Sequence, residues 1–162
     1  MVEHFRLKQD LGVAKLQIYG TGADIRFPQV AGFEPPPERQ QRAHGPLVCS
    51  WLAPGEWMVT GPEAEIAAWV AKIERQDDDE VLAVDLTHGR VSFLLAGPDC
   101  RSALAAHCPL DLSPESFRVG EVARSLFGDA GIFIARTGED VFRIVADQTM
   151  AAYIGRLLRL ER

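Results

Sequence analysis

One pattern occurs twice in this chain. Gly55-Glu56-Trp57-Met58-Val59 leads into Ile66-Ala67-Ala68-Trp69-Val70, and Gly138-Glu139-Asp140-Val141-Phe142 leads into Met150-Ala151-Ala152-Tyr153-Ile154. Each copy is a hairpin arm followed by an amphipathic helix with an apolar-Ala-Ala-aromatic-aliphatic core. Two strand-helix copies predict an α+β fold of two ferredoxin-like halves packed into one domain. The single domain would span 1–162, with internal halves of about 1–86 and 87–162. A chain of 162 residues has the usual size of one domain and can bury a core without disulfides or metals.

The other elements follow from local pattern. Val13 to Tyr19 alternates and reads as a strand. Residues 32–46 contain Pro35-Pro36-Pro37 and a polar tail, which sustain neither helix nor ladder, so this stretch reads as an exposed loop. Leu47–Leu52 and Glu56–Thr60 form a hairpin around Ala53-Pro54-Gly55. Gly61-Pro62 opens a helix with Pro at its first position and Glu63 and Glu65 at the positive end of its dipole. Ile66, Trp69, Val70 and Ile73 then fall on one stripe. The acidic run Asp77 to Glu80 reads as a solvated loop rather than a calcium site, because it lacks the alternating ligands and turn glycine. Val81–Asp85, Val91–Ala96 and stretches near 121–127, 131–136 and 141–146 read as strands. Gly97-Pro98-Asp99 opens a further helix. Asp147 caps the last one, whose buried face carries Met150, Ile154, Leu157 and Leu158.

Charge narrows the function classes. The formal net charge is −6 and the pI about 5.2. Phosphate contacts need a basic footprint, so nucleic acid and anionic membranes are not expected partners. No apolar run approaches the length of a membrane span, and Met1 to Arg6 has no signal-peptide core, so the expected location is the cytoplasm.

Chemistry-bearing residues are scattered. His88, before Gly89-Arg90, could serve as acid, base or ligand; the residues favour a turn histidine, because no carboxylate or nucleophile is placed beside it. Cys49, Cys100 and Cys108 form no C-x-x-C pair. Cys100 and His107 would share a helix face, but a structural zinc needs four ligands at recognisable spacings, so core packing is favoured. Gly20-Thr21-Gly22 is a fragment of a dinucleotide fingerprint. It lacks the third glycine and the helix that should follow, since Asp24-Ile25-Arg26-Phe27-Pro28 reads as extended chain. No catalytic, cofactor-binding or metal-binding residue is therefore assigned. The candidate partner-facing residues are Trp51 and Trp57 on the hairpin and Arg156, Arg159 and Arg162 near the C-terminus. Trp51 and Trp57 pack across the hairpin in the favoured reading, and either becomes an interface anchor if exposed. The arginines suit the negative end of a helix or an acidic partner.

An ordered set of segments carries a family resemblance from Trp51 onward: Trp51-Leu52-Ala53-Pro54-Gly55-Glu56-Trp57, Asp85-Leu86-Thr87-His88, Ala96-Gly97-Pro98, Cys108-Pro109-Leu110-Asp111-Leu112, Phe117-Arg118-Val119-Gly120, Ala123-Arg124 and Arg136-Thr137-Gly138-Glu139-Asp140. The chain resembles the gamma subunit of heterotetrameric sarcosine oxidase. More distantly it is similar to the folate-binding domain of the aminomethyltransferases, the glycine cleavage T-proteins. The resemblance implies a non-catalytic subunit in a complex that oxidises the N-methyl group of sarcosine, giving glycine, hydrogen peroxide and methylene-tetrahydrofolate. It implies alpha, beta and delta subunits as partners, with FAD, FMN, NAD, folate and zinc held by them and not by this chain. Two other readings stay open: a free-standing folate-binding one-carbon transfer protein, and a generic interaction domain. In the aminomethyltransferases a Gly turn leads to paired acidic residues, one of which contacts the pterin. In the comparable stretch, Leu126 to Ala135, the turn glycine would be Gly131, and the acidic pair falls on Ile134 and Ala135.

Overall fold

A computed structural model describes residues 4–7 and 11–158. The chain divides into two compact units, Asp10–Thr87 and the stretch from His88 onward together with the N-terminal residues. The strand β1 (His4–Leu7) belongs with the later unit, where it pairs antiparallel with β7 (Arg90–Ala96).

The unit Asp10–Thr87 runs β2 (Leu11–Ile18), α1 (Ala23–Ala31), β3 (Gln41–His44), β4 (Leu47–Ala53), β5 (Glu56–Pro62), α2 (Glu63–Glu74) and β6 (Val81–Asp85). Its antiparallel sheet has the order β3-β4-β5-β2-β6. The β4-β5-β2-β6 part is the ferredoxin-like arrangement, with β3 added at the β4 edge. The α2 stripe Ile66, Trp69, Val70 and Ile73 is buried as its spacing requires. Pro62 sits at the N-cap, one position earlier than the sequence suggests, with ψ 140 still extended.

Two expectations for this unit are overturned. The stretch after Gly22 is not extended but forms α1, nine residues long with Pro28 inside. Ala23, Phe27, Val30 and Ala31 make its buried stripe, and this gain outweighs the proline. The N–H that Pro28 lacks would have bonded the carbonyl of exposed Asp24, which water can serve. The far end of α1 is closed by α2. Trp69 Nε1 donates to the carbonyl of Ala31 at 2.9 Å, and Gln76 Nε2 to that of Val30 at 2.9 Å. These side chains satisfy carbonyls that a helix end leaves orphaned.

The stretch 32–46 is likewise not only an exposed loop. Phe33 is buried, its ring 5.4 Å from that of Phe27, and Gln41–His44 pairs with β4. The three prolines end before Gln41, so they remove no donor from the ladder. The acidic run is exposed except for half-buried Asp78, and Arg26 from α1 bridges Asp78 and Glu80 at 2.6 Å each.

The later unit runs β7, α3 (Cys100–Ala105), β8 (Val122–Phe127), β9 (Ala130–Gly138), β10 (Val141–Asp147) and α4 (Ala151–Leu157). Its sheet order is β1-β7-β10-β9-β8. This repeats the first sheet, β8 standing where β3 does and β1 where β6 does. The fourth ferredoxin-like strand is thus supplied by the N-terminus. Asp147 accepts from the Thr149 backbone N–H at 2.9 Å and caps a 3-10 turn, Gln148–Met150, that feeds α4. Ile154 and Leu158 are buried, with Met150 and Leu157 packed against them in part. The repeated aromatic anchors its helix in both units, but to different elements. Trp69 ties α2 to the end of α1, and Tyr153 Oη accepts the Asp129 N–H and ties α4 to the β8–β9 turn.

Candidate functional site

The candidate residues separate by burial. Trp57 stands opposite Trp51 in the β4–β5 register. Alternation along β5 turns Trp57 into the core, where it is 0% exposed and its ring lies 4.6 Å from that of Phe27. It presents nothing to a partner, which removes it from the interface set. Trp51 is half-buried against the same core. Arg156 is exposed in the last turn of α4. Arg159 and Arg162 lie outside the described residues.

The cysteines are interior groups. All three are free and buried. Burial pushes the Cys49 thiol far above its ordinary value. Burial, and then the Asp140 carboxylate, push the Cys100 thiol up as well. The reactive form is the thiolate, so an aromatic disulfide reagent is expected to release no thiol signal from the native chain within minutes and three equivalents in urea. Rapid native reaction at Cys49 would contradict this burial. The proposed shared helix face of Cys100 and His107 does not form, because α3 ends at Ala105. His107 packs edge-on against Phe127 with ring centroids 5.2 Å apart. Among the described residues no group of three or more His, Cys, Asp and Glu is gathered as a metal site.

His88 is exposed in a 3-10 turn, Thr87–Gly89. Gly20-Thr21-Gly22 does connect a strand to a helix, as a dinucleotide fingerprint would. However, the third glycine position carries Ile25, and β2 pairs antiparallel on both sides. In the stretch compared with a pterin site, the turn glycine is Gly128, with φ 58, whereas Gly131 lies inside β9 opposite Leu126. Ile134 and Ala135 are fully buried.

The concave feature of the unit Asp10–Thr87 escaped sequence reasoning. An open groove of about 590 Å³ runs past Phe33, Glu34, Arg42 and His44, and a second of about 330 Å³ continues beside Glu65 and Lys72. His44 stacks on Phe33 with ring centroids 4.7 Å apart. The only local hint was Phe33 itself, an aromatic residue at the head of a polar loop. These residues offer both charges and an aromatic face, which suits binding; they include no placed nucleophile-base pair.

The sarcosine oxidase, gamma subunit family model matches residues 22–160. The chain belongs to that family. The sarcosine oxidase subunit gamma of Corynebacterium sp. (strain U-96) is 29% identical over 96 residues, which is 59% of this chain and 46% of that protein. The aligned part of this gamma-family chain thus spans about half the length of the curated relative. Among solved structures, a chain of the heterotetrameric sarcosine oxidase from Corynebacterium sp. U-96, in complex with pyrrole 2-carboxylate, superposes with a TM-score of 0.81 at 20% identity. That match covers 95% of this chain and 80% of that one. Glycine cleavage system aminomethyltransferase T from Bartonella henselae superposes with a TM-score of 0.71 at 17% identity, covering 95% of this chain and 44% of that one. Both likenesses concern the fold, and they agree with two antiparallel, ferredoxin-like halves. Among the described residues, no helix is long and apolar enough to cross a membrane.

Proposed function

We propose that this gamma-family chain is a non-catalytic subunit of a heterotetrameric oxidase that demethylates sarcosine to glycine, with hydrogen peroxide and methylene-tetrahydrofolate as the other products. The observation that carries this reading is the family match over residues 22–160. The partners are the alpha and beta subunits, joined by delta, in the cytoplasm. FAD, FMN, NAD, folate and zinc reside on those partners, and this chain contributes surface and assembly. A specific interface of this kind buries about 800 Å² on each side. Co-expression with cognate alpha and beta subunits, followed by size exclusion, tests the reading. The chain is expected to co-elute with a yellow flavoprotein, while the chain alone is colourless and produces no sarcosine-dependent peroxide. Separate elution at micromolar concentration would count against an assembly role.

The aminomethyltransferase fold supports a second reading, a free-standing folate-binding protein for one-carbon transfer. The residues weigh against it. Counted from Gly128, the turn glycine of the structure, the acidic pair falls on Gly131 and Ile132, which carry no side-chain acceptors. A pterin donor edge left unpaired there costs about 1–3 kcal/mol. Titration calorimetry with a reduced folate is expected to show no tight binding. One-to-one binding in the low-micromolar range would favour the one-carbon transfer protein instead.

A further inference from the structure

Strand β3 is one edge of the sheet β3-β4-β5-β2-β6, and its outer side is unpaired. The hairpin with β4 fixes which of its groups face out. His44 and Leu47 close the turn at Gly45-Pro46, and the register continues as Ala43↔Val48, Arg42↔Cys49 and Gln41↔Ser50. Along an antiparallel strand the backbone groups of successive residues point to opposite sides. The Trp51 N–H donates to the Gln40 carbonyl at 3.0 Å. Arg42 and His44 therefore also turn their backbone groups toward β4, and Gln41 and Ala43 turn theirs outward. Arg42, Ala43 and His44 are exposed. The outward N–H and C=O groups are a template for another strand.

A bare edge this short is ordinary, but this one is bordered by a groove. Alternation directs the Arg42 and His44 side chains to the helix side of the sheet, the side of Leu47 and Cys49. There the groove passes from Pro28 and Arg42 over the Phe33–His44 stack to Trp69 and Lys72. An added strand would lay alternate side chains in that groove. In such an arrangement main-chain bonds give affinity and side-chain pockets give specificity. Charge decides whose strand it is. A second copy pairing about a two-fold axis on Arg42 or on Ala43 would set Arg42 against Arg42 or against His44 of the other copy. Neither pairing brings a carboxylate to Arg42, and the first sets like charges directly opposite. Arg42 donates one N–H to the Pro35 carbonyl at 3.1 Å. Glu34 and Glu65 line the groove as well, but among the described residues no carboxylate comes within ion-pair distance of Arg42 or Lys72. An acidic side chain on an incoming strand meets that need.

We propose that the β3 edge, with its groove, receives an extended segment of a partner subunit as a further strand, with an acidic side chain set against Arg42. The proposal rests on the assembly reading above and names the part of this chain that carries it. Amide hydrogen exchange is followed on the free chain and on the co-expressed complex. The Ala43 amide is expected to exchange freely in the first and to be protected in the second. Binding to immobilised alpha and beta subunits is then measured by surface plasmon resonance for variants that keep the wild-type circular-dichroism spectrum. Ala43→Pro deletes the outward N–H and leaves the β3–β4 ladder whole, since proline is tolerated where the N–H of an edge strand faces solvent. It is expected to weaken binding about tenfold or more. Ala43→Val keeps the N–H and is expected to bind as wild type does. Arg42→Glu is expected to weaken binding most at low salt. Should Ala43→Pro fail to fold, the exchange measurement decides alone. Wild-type binding with an unprotected Ala43 amide, or with Ala43→Pro undiminished, would overturn the edge proposal alone. Failure of the wild-type chain to bind would overturn the assembly reading and this proposal with it.

Discussion

Replacing Arg136 with alanine is expected to destabilise the later unit by about 2 kcal/mol, because the buried Phe117 carbonyl would be stranded without this donor, at about 1–3 kcal/mol, while the exposed Glu139 carbonyl keeps Arg101. Arg136 is only 5% exposed. Its Nη1 donates to the carbonyl of Phe117 at 2.9 Å, and its Nε and Nη2 donate to that of Glu139 at 3.2 and 2.8 Å. One guanidinium thus clamps the loop before β8 to the β9–β10 turn. The backbone of the same residue continues the clamp, accepting from the Gly120 N–H and donating to the carbonyl of Glu121. Arg136→Lys should rescue little. An ammonium is a compact charge on a flexible stem and cannot reproduce a rigid fork reaching two carbonyls on opposite sides. Urea unfolding followed by far-ultraviolet circular dichroism measures the loss. An alanine variant within 0.5 kcal/mol of wild type, the scatter of ordinary surface substitutions, would show that the clamp contributes nothing.

The second large effect concerns two tryptophans that look alike in sequence and differ in the fold. Trp57→Ala is expected to cost about 3–5 kcal/mol, the usual range for emptying a buried aromatic site. Trp57→Phe should cost far less. The indole Nε1 of Trp57 is buried without a hydrogen-bond partner, so phenylalanine keeps most of the packing and removes an unsatisfied donor. Trp69→Phe should be the worse of the two conservative changes. Its indole N–H holds the Ala31 carbonyl at the end of α1, and phenylalanine would strand that acceptor inside the unit. The ordering is the test: Trp57→Ala above Trp69→Phe above Trp57→Phe in loss of unfolding free energy. A Trp57→Phe variant less stable than Trp69→Phe would mean that the orphan indole has a partner in solution.

These effects divide what was legible from what was not. The α2 stripe, the hairpin of Leu47–Leu52 and Glu56–Thr60, the strand Val81–Asp85 and the cap at Asp147 could be read in advance because each depends on neighbours within about a turn or a strand length. Alternation and i, i+3, i+4 spacing are local properties. The helix α1 was hidden by Pro28, whose local cost is visible while its compensation is not. That compensation comes from Trp69 and Gln76, some forty residues further on. The strand β3 was hidden in the same way: its ladder partners lie on β4, and triple proline masked the four residues free to pair.

For the candidate site, the sequence singled out Trp51 and Trp57 but could not say how deeply each is buried; the register puts both on the core face, and the Phe27 ring closes over Trp57 while Trp51 stays half-buried. Arg136 was legible as part of a family segment and not as a buried clamp, because a guanidinium's burial depends on where two distant carbonyls are held. By itself the sequence determined the family likeness, the repeated strand-helix pattern and the lack of any recognisable catalytic motif. Only the tertiary structure decided that the N-terminal strand completes the later sheet and which aromatic side chains are interior. Pairing and burial are set between segments far apart in the chain, and no local pattern encodes their meeting.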